Sequence, residues 1–390
     1  MLNFDYYNST KIIFGKGSIN KIQDCLKDYG NNILLLYGCG SIKRNGIYEK
    51  VKSQLRDKNV IEMEGVESNP TVATIRKGIA LCREEKIDLI LGVGGGSVLD
   101  SAKMIGIGAK YDGDVWDFLA NREKYPTEMI PVATVVTMAG TGSEVNSNFV
   151  LSNPETCEKV GKNGGYACFP KFAICDPEAT FTVGQYQTAC GAFDTISHVF
   201  EHYFAVPDQY MPIQDGMHES IMQTVLAELP RALKEPDNYE ARSNLLWASE
   251  QALFGIADMG KGYGEHIEHK MEHILSAKYN CAHGAGLAVV VLPYRRYMCK
   301  REPAKYRQFA ENVFHLDCTG LTDYEAGMKA IDCLKDFIIS VGLPTTLREI
   351  GAKSREDVDF LSEALIKQGR LDKGTSIGLK ELKEMYASVY

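Results

Sequence analysis

The sequence predicts an α/β half followed by an all-helical half: a doubly wound parallel-sheet domain over residues 1–185 and a helical domain over 186–390. Three observations carry this. Unbroken apolar runs at 32–37 and 88–93 read as strands buried on both faces. Each ends at a glycine-rich turn and is followed by a stretch with helical spacing, and such alternation implies right-handed crossovers in a parallel sheet. Beyond residue 185 strand signals largely vanish, while apolar residues keep recurring at helical spacing.

Taken in order, residues 11–17 read as a short strand and turn. Residues 18–29 place Ile19, Ile22, Leu26 and Tyr29 on one helical face. The strand at 32–37 stops at Gly38-Cys39-Gly40-Ser41. A helix is expected over 46–58, a strand over 60–63, and an amphipathic helix over 71–85. The strand at 88–93 runs into Gly94-Gly95-Gly96-Ser97, followed by a helix over 97–108 and a strand over 130–136. In the second half, helices are expected over 213–233, 239–259, 267–277, 304–314, 324–341 and 355–367. The apolar run 287–292 is also read as helix. The chain shows neither an internal repeat nor a low-complexity linker.

Composition narrows the function classes. A length of 390 residues fits two domains. Hydrophobic content of 45% and charged content of 24% are those of an ordinary globular protein. The net charge is −8 and the basic residues are scattered, which argues against nucleic acid or an anionic membrane as main partner. No basic stretch followed by an apolar run opens the chain, so no signal peptide is expected. No apolar run approaches the roughly 20 residues of a membrane span. The eleven cysteines are dispersed and form no C-x-x-C pair, as in a cytoplasmic protein with reduced thiols.

Two loops are candidates for ligand binding. Gly94-Gly95-Gly96-Ser97-Val98-Leu99-Asp100 joins a buried strand to a helix. Glycines admit close backbone approach to a phosphate, and the helix N-terminus offers unpaired N–H groups. Ser97 with Asp100 also fits a capping box. The alternative is a tight turn with no ligand, and G-x-G-x-x-G itself is absent. The second loop, Thr137-Met138-Ala139-Gly140-Thr141-Gly142-Ser143-Glu144, follows a strand at the carboxyl end, where α/β sheets bind ligands.

Five of the eight histidines, His198, His266, His269, His273 and His283, mark a different chemistry. Asp194 and His198 are four apart, so a carboxylate and an imidazole share one helix face. His269 and His273 repeat that spacing, His266 sits about one turn earlier, and His283 follows a short break. One carboxylate plus imidazoles suits a divalent transition metal. On pattern alone, packed or surface histidines remain the alternative, although imidazoles among Met271, Ile274, Leu275, Leu287 and Val289 need partners.

Together these residues resemble the iron-containing, or group III, alcohol dehydrogenases, and within them the NADPH-dependent butanol dehydrogenase and aldehyde reductase branch. The likeness is carried by residues 94–100 and 137–144, Phe172-Ala173-Ile174-Cys175-Asp176-Pro177, residues 194–198 and 269–283, and it spans almost the whole chain. The resemblance implies a dinucleotide-binding N-terminal domain and a metal-binding helical one. It implies one metal, Fe²⁺ or Zn²⁺, on Asp194, His198, His269 and His283. It places His273 beside the nicotinamide, where it would assist proton transfer; His266 matches no family role. Gly94, Gly95, Gly96, Ser97 and Asp100 correspond to the pyrophosphate turn, and Thr137, Thr141 and Ser143 to the cofactor loop. Lys159 corresponds to a cofactor-reaching lysine, with Lys162 as rival.

NAD-dependent members carry an Asp just after the first nucleotide-binding strand. Here Gly38, Gly40 and Ser41 surround a position without an acid, and Lys43 and Arg44 follow, which favours NADP(H). The expected activity is hydride transfer between NADP(H) and a short- to medium-chain primary alcohol or aldehyde, butanol- or butanal-like. A cytoplasmic homodimer is expected. The rivals are a dehydroquinate synthase-like or glycerol dehydrogenase-like metal- and NAD-dependent enzyme, and a nucleotide-binding relative without activity. The former uses a Glu-His-His set, and the latter would lack ligands that are all present here.

Overall fold

The computed structural model describes residues 1–121, 123–206, 208–261, 266–369, 371 and 377–390. The chain forms two units. One comprises Tyr7–Gly184 with Glu235–Phe254, and the other comprises Met1–Tyr6, Gln185–Lys234 and Gly255–Tyr390.

The first unit is α/β. Its strands are β1 (Lys11–Phe14), β2 (Asn32–Gly38), β3 (Asn59–Val66), β4 (Leu89–Gly94), β5 (Val132–Val136), β6 (Asn148–Asn153), β7 (Glu158–Asn163) and β8 (Phe172–Cys175). Six of them form one sheet in the order β1-β8-β5-β4-β2-β3, with every pair parallel. Successive residues of β2 enter opposite cores. Leu34 and Leu36 pack with Ile75, Ile79 and Ile105, whereas Ile33 and Leu35 pack with Ile22, Leu26 and Val51. Burial on both faces is why this strand reads as a continuous apolar run. From β3 the chain crosses back over β2 to β4, so the strand order reverses between β4 and β2. Such a reversal is where doubly wound sheets bind ligands.

Several expectations shift. The helix expected over 18–29 is a 3₁₀ turn, Ser18–Lys21, and one α turn, Ile22–Cys25. The N–H groups of Lys27 and Tyr29 bond three residues back, the tighter pattern of a terminating helix. The helix expected over 46–58 spans Ile47–Ser53 and ends in the same way. The β6–β7 hairpin was not anticipated; it is antiparallel and stands apart from the main sheet. The domain boundary differs in two places. Residues 235–254 belong to the α/β unit because Leu246, on the helix Tyr239–Leu253, completes a small core with Leu99, Val136, Ala173 and Cys175. That helix stops short of 259 at Gly255, whose φ of 89° is left-handed. Residues 1–6 join the helical unit, where the Leu2 N–H donates to the Gly260 carbonyl at 2.9 Å.

The second unit is helical among its described residues. Its helices are Gln185–Tyr203, Pro212–Lys234, Ile267–Tyr279, His283–Cys299, Pro303–Asn312, Asp323–Ser340, Glu356–Lys367 and Leu379–Ser388. The run 287–292 lies inside the helix His283–Cys299, as expected. A core of Ile267, Met271, Ile274, Leu275, Val289 and Val290 locks that helix against Ile267–Tyr279. The buried pair Arg295–Glu268, with Nε donating to Oε1 at 2.6 Å, joins the same two helices. Among the described residues, no helix is long and apolar enough to cross a membrane, and no disulfide is formed.

Candidate metal centre and dinucleotide turns

Asp194 and His198 sit one turn apart on Gln185–Tyr203. His269 lies near the start of Ile267–Tyr279, and His283 opens the helix His283–Cys299. Two glycines bring these helices together. A Cβ on Gly284 would lie 2.0 Å from the Cys190 carbonyl oxygen, one turn before Asp194. A Cβ on Gly286 would lie 2.8 Å from the Glu272 side chain. Only glycine allows so close an approach, and it delivers His283 to Asp194.

The result is three imidazole nitrogens around one carboxylate oxygen. The Nε2 atoms of His283, His269 and His198 lie 3.5, 3.6 and 3.7 Å from Asp194 Oδ1. These separations are too long for hydrogen bonds. Asp194 Oδ1 and His269 Nε2 are buried, and no hydrogen-bond partner meets them among the described residues. Bonds of about 2.1 Å to a tetrahedral ion would put its ligands about 3.4 Å apart. Asp194, His198 and His269 offer donor atoms within 4.8 Å of one another, and His283 Nε2 meets the same Asp194 oxygen at 3.5 Å, so the chemistry of the set suits a divalent cation.

Two of these imidazoles have a carboxylate on the other ring nitrogen, whereas His198 Nδ1 is buried and meets no hydrogen-bond partner among the described residues. His269 Nδ1 lies 2.7 Å from Glu201 Oε1, and His266 Nδ1 pairs with Glu201 Oε2. His283 Nδ1 pairs with Glu272 Oε2. In His269 and His283 this fixes Nε2 as the nitrogen that faces Asp194. Burial alone would raise the Asp194 carboxyl, but His198 and His283 outweigh it and hold the group below the usual range. Burial pushes His198 down to about 4, against the pull of Asp194, so its imidazole is neutral as a ligand must be. Glu201 is held well below the carboxylate range because His266 and His269 outweigh its burial.

His273 is half-buried, with its ring 5.7 Å from that of His283 and 6.4 Å from that of His269. It thus stands beside the Asp194 set. Glu272, His273 and His283 form a second grouping of donor atoms. Its carboxylate is already engaged by His283 Nδ1 and by the Ser276 hydroxyl, so the Asp194 set is the better cation site. Glu201, Glu272 and Gly284 were missed in the sequence. Seeking a carboxylate for each second ring nitrogen would have pointed to the two acids.

In the α/β unit, the turn after β4 begins the helix Gly96–Ala109, whose N-cap, Gly95, makes no side-chain cap. A Cβ on Gly96 would lie 2.4 Å from the Thr141 side chain, and the Thr137 N–H donates to the Gly94 carbonyl at 3.0 Å. The two candidate loops therefore touch, with Gly95, Gly96 and the helix N-terminus at their junction, a cradle suited to an anionic group.

One side-chain expectation is corrected. Ser97 donates to the Ser68 carbonyl and forms no capping box with Asp100. Asp100 and Ser143 are buried: Ser143 Oγ donates to Asp100 Oδ1 at 2.5 Å, and Lys103 Nζ donates to Ser143 Oγ at 2.8 Å. These two side chains brace the loop from inside, because a fully buried lysine demands acceptors. Lys159 is buried on β7 and its charge reaches Asp100. The rival Lys162 is engaged by the carbonyls of Asn121 and Lys124 at 2.9 and 2.5 Å. At the end of β2, Gly40 has a φ of 89°, and Cys39 and Ser41 are exposed. Lys43 is paired with Glu64 at 2.6 Å. The Arg44 guanidinium lies 3.7 Å from where a Cβ on Gly40 would be.

Known proteins share this architecture over its full length. The family model described as iron-containing alcohol dehydrogenase matches residues 9–177, and that of the Fe-containing alcohol dehydrogenase family, C-terminal, matches 188–390. The chain belongs to the iron-containing alcohol dehydrogenase family. It is 41% identical to the probable NADH-dependent butanol dehydrogenase 1 of Bacillus subtilis, covering 98% of each chain. It is 35% identical to the NADPH-dependent aldehyde reductase YqhD of Escherichia coli, covering 90% of each. Among solved structures, the NADH-dependent butanol dehydrogenase A of Thermotoga maritima superposes with a TM-score of 0.93 at 36% identity, covering 100% of this chain and 99% of that one. This iron-containing alcohol dehydrogenase is thus a metal-dependent alcohol/aldehyde oxidoreductase with a dinucleotide cofactor.

Proposed function

We propose that the enzyme transfers a hydride between NADP(H) and a short- to medium-chain primary alcohol or aldehyde, with a single Fe²⁺ or Zn²⁺ held by Asp194, His198, His269 and His283. The observation that carries this is the convergence of three imidazole nitrogens on the one buried Asp194 oxygen. A divalent ion held there supplies Lewis-acid polarisation of the substrate oxygen. Asp194 offers the anionic ligand, and the neutral imidazoles leave net positive charge on the site. His273, beside two of the ligands, is placed to move a proton to or from the substrate oxygen.

The loop amides around Gly94, Gly95, Gly96 and Ser97, with Thr137, Thr141 and Lys159, hold the dinucleotide. Preference for NADP(H) rests on the end of β2, where Gly38-Cys39-Gly40-Ser41 has no acid to repel a 2′-phosphate. The relatives include both NADH-dependent butanol dehydrogenases and an NADPH-dependent aldehyde reductase. Arg44 rather than the paired Lys43 is the cation for that phosphate. A chain-length preference near four carbons follows the butanol dehydrogenases among the relatives. A cytoplasmic homodimer completes the reading, supported by the dispersed cysteines and the family resemblance.

The test is oxidation of NADPH and of NADH with butanal, with and without chelator. Loss of activity on chelation, restoration by Fe²⁺ or Zn²⁺ and a higher kcat/KM with NADPH are expected. Chelator-resistant turnover would overturn the metal assignment, and a higher kcat/KM with NADH would overturn the cofactor preference.

A further inference from the structure

We infer that Glu201 and His266 act together as positioning residues for the metal site: Glu201 fixes the His269 ring, and His266 fixes Glu201. This rests on the ligand assignment above. Positions 194, 198 and 201 form an i, i+4, i+7 stripe on Gln185–Tyr203, so Glu201 shares a helix face with two of the proposed ligands. Its carboxylate is 5% exposed, and each oxygen meets one imidazole: Oε1 lies 2.7 Å from His269 Nδ1, and Oε2 meets His266 Nδ1. A carboxylate clamped at both oxygens has one orientation. With His269 donating its Nδ1–H there, the lone pair of Nε2 is aimed at the space beside Asp194.

The backbone of His266 supports this. His266 is the N-cap of Ile267–Tyr279, with a φ of 47° and a ψ of 35°. That left-handed conformation is unfavourable for a side-chain-bearing residue and costs on the order of 1 kcal/mol. Glycine would adopt it freely, and His266 makes no side-chain cap. The imidazole is therefore held in an unfavourable backbone position for what its ring does. The ring is also packed: that of His202 lies 5.4 Å away, edge to face, and His202 and His218 in turn face Asp258 at 3.8 and 2.9 Å. These neighbours restrict the His266 ring and keep it on Glu201.

A residue that only supports the fold would change stability and leave metal affinity alone. The experiment therefore measures Zn²⁺ affinity by chelator competition, and the melting temperature of the metal-free protein, for wild type, Glu201→Gln and His266→Gly. Loss of a carboxylate behind a ligating histidine typically weakens metal binding about 10–100-fold. Glu201→Gln is expected within that range. His266→Gly is expected to weaken binding in the same direction by less, while its metal-free melting temperature holds or rises as the left-handed strain is relieved. In ¹⁵N spectra of the histidine rings of the Zn²⁺-loaded protein, wild-type His269 should carry its proton on Nδ1 with Nε2 bound to the ion, and that signature should become mixed in Glu201→Gln. Should Glu201→Gln fail to fold, His266→Gly decides alone. Wild-type Zn²⁺ affinity in His266→Gly, or in both variants, overturns the inference while the metal site stands. A wild type that binds no Zn²⁺ overturns the ligand assignment, and this inference with it.

Discussion

His283 Nε2 lies 3.5 Å from Asp194 Oδ1, although the two residues sit on different helices and the ring's other nitrogen is held by Glu272. The pair is too far apart for a good hydrogen bond, and the Asp194 oxygen is buried without another partner among the described residues. The pair's spacing matches one edge of the coordination polyhedron proposed for the site. His269→Ala and His283→Ala should each lose bound metal and nearly all activity. Both should still fold, because their helices are held by Ile267, Met271, Ile274, Val289 and Val290. Elemental analysis and circular dichroism of the purified variants decide this; stoichiometric metal in both would refute the assignment.

The cluster around Asp194 was legible because three of its members report their geometry in the sequence. Asp194 and His198 share a helix face by spacing, and His269 begins an apolar helix where an imidazole needs a partner. β2 and β4 were legible for a related reason, since burial on both faces leaves a run with no polar interruption. Glu201 was not, because an acid on a helix is ordinarily a solvated charge and only the fold shows it at 5% exposure. The β6–β7 hairpin was obscured by its polar residues, with only Phe149, Leu151 and Val160 entering the core. Asp100 and Ser143 read as ligand contacts because polar residues at a strand's carboxyl end usually are, and the bonds by which they brace the loop were not legible. The buried Lys103 that engages Ser143, and through it Asp100, sits in a helix that reads as ordinary.

Gly284→Ala tests how the site is assembled. The new methyl would lie 2.0 Å from the Cys190 carbonyl oxygen, so the helix His283–Cys299 must move away. Overpacking of this kind typically costs about 1–3 kcal/mol. The variant should melt earlier and bind metal more weakly, although no ligand has been changed. Metal affinity equal to wild type would show that His283 reaches the site without this close contact.

The α/β unit should carry a pH dependence of its own. Burial pushes the Glu144 carboxyl up to about 7, and burial together with Glu144 pushes Glu250 well above the ordinary range. Lys103 and Asp100 on the adjoining helix act on Glu144 in opposite senses, and the Cys175 thiol faces Glu250. Between the ordinary carboxylate range and about 7, the folded state holds more protons than the unfolded state. Stability therefore falls as pH rises through that window. Glu250→Gln removes one of the two acids and should flatten the fall. One pKa unit is worth about 1.4 kcal/mol, so the gap between variant and wild type should widen measurably from pH 5 to 8. Parallel melting-temperature profiles would refute this.

Cys39→Asp addresses the cofactor. Cys39 is exposed at the end of β2, so a carboxylate there acts through solvent, and like-charge repulsion of a 2′-phosphate is about 1 kcal/mol at 4 Å in water. The ratio of kcat/KM for NADPH over NADH should fall about fivefold. Arg44→Ala should lower the same ratio, whereas Lys43→Ala, which removes a charge already paired with Glu64, should change it little. A wild type that prefers NADH would defeat the argument from the missing acid.

His273 separates three roles in one variant. It follows His269 by one turn, and its ring lies near those of two ligands without joining the three nitrogens around Asp194. As a proton-transfer group it should leave metal content and fold unchanged in His273→Phe while costing about 10²–10⁴-fold in kcat. The pH profile of kcat should also lose a limb near neutrality, where histidine titrates. As a ligand in place of His269, it should cost metal as well. As a packed helix residue, it should tolerate Phe in every respect. Metal content and the pH profile of kcat, measured on the same preparation, distinguish the three, and an unchanged rate with full metal would remove His273 from the mechanism.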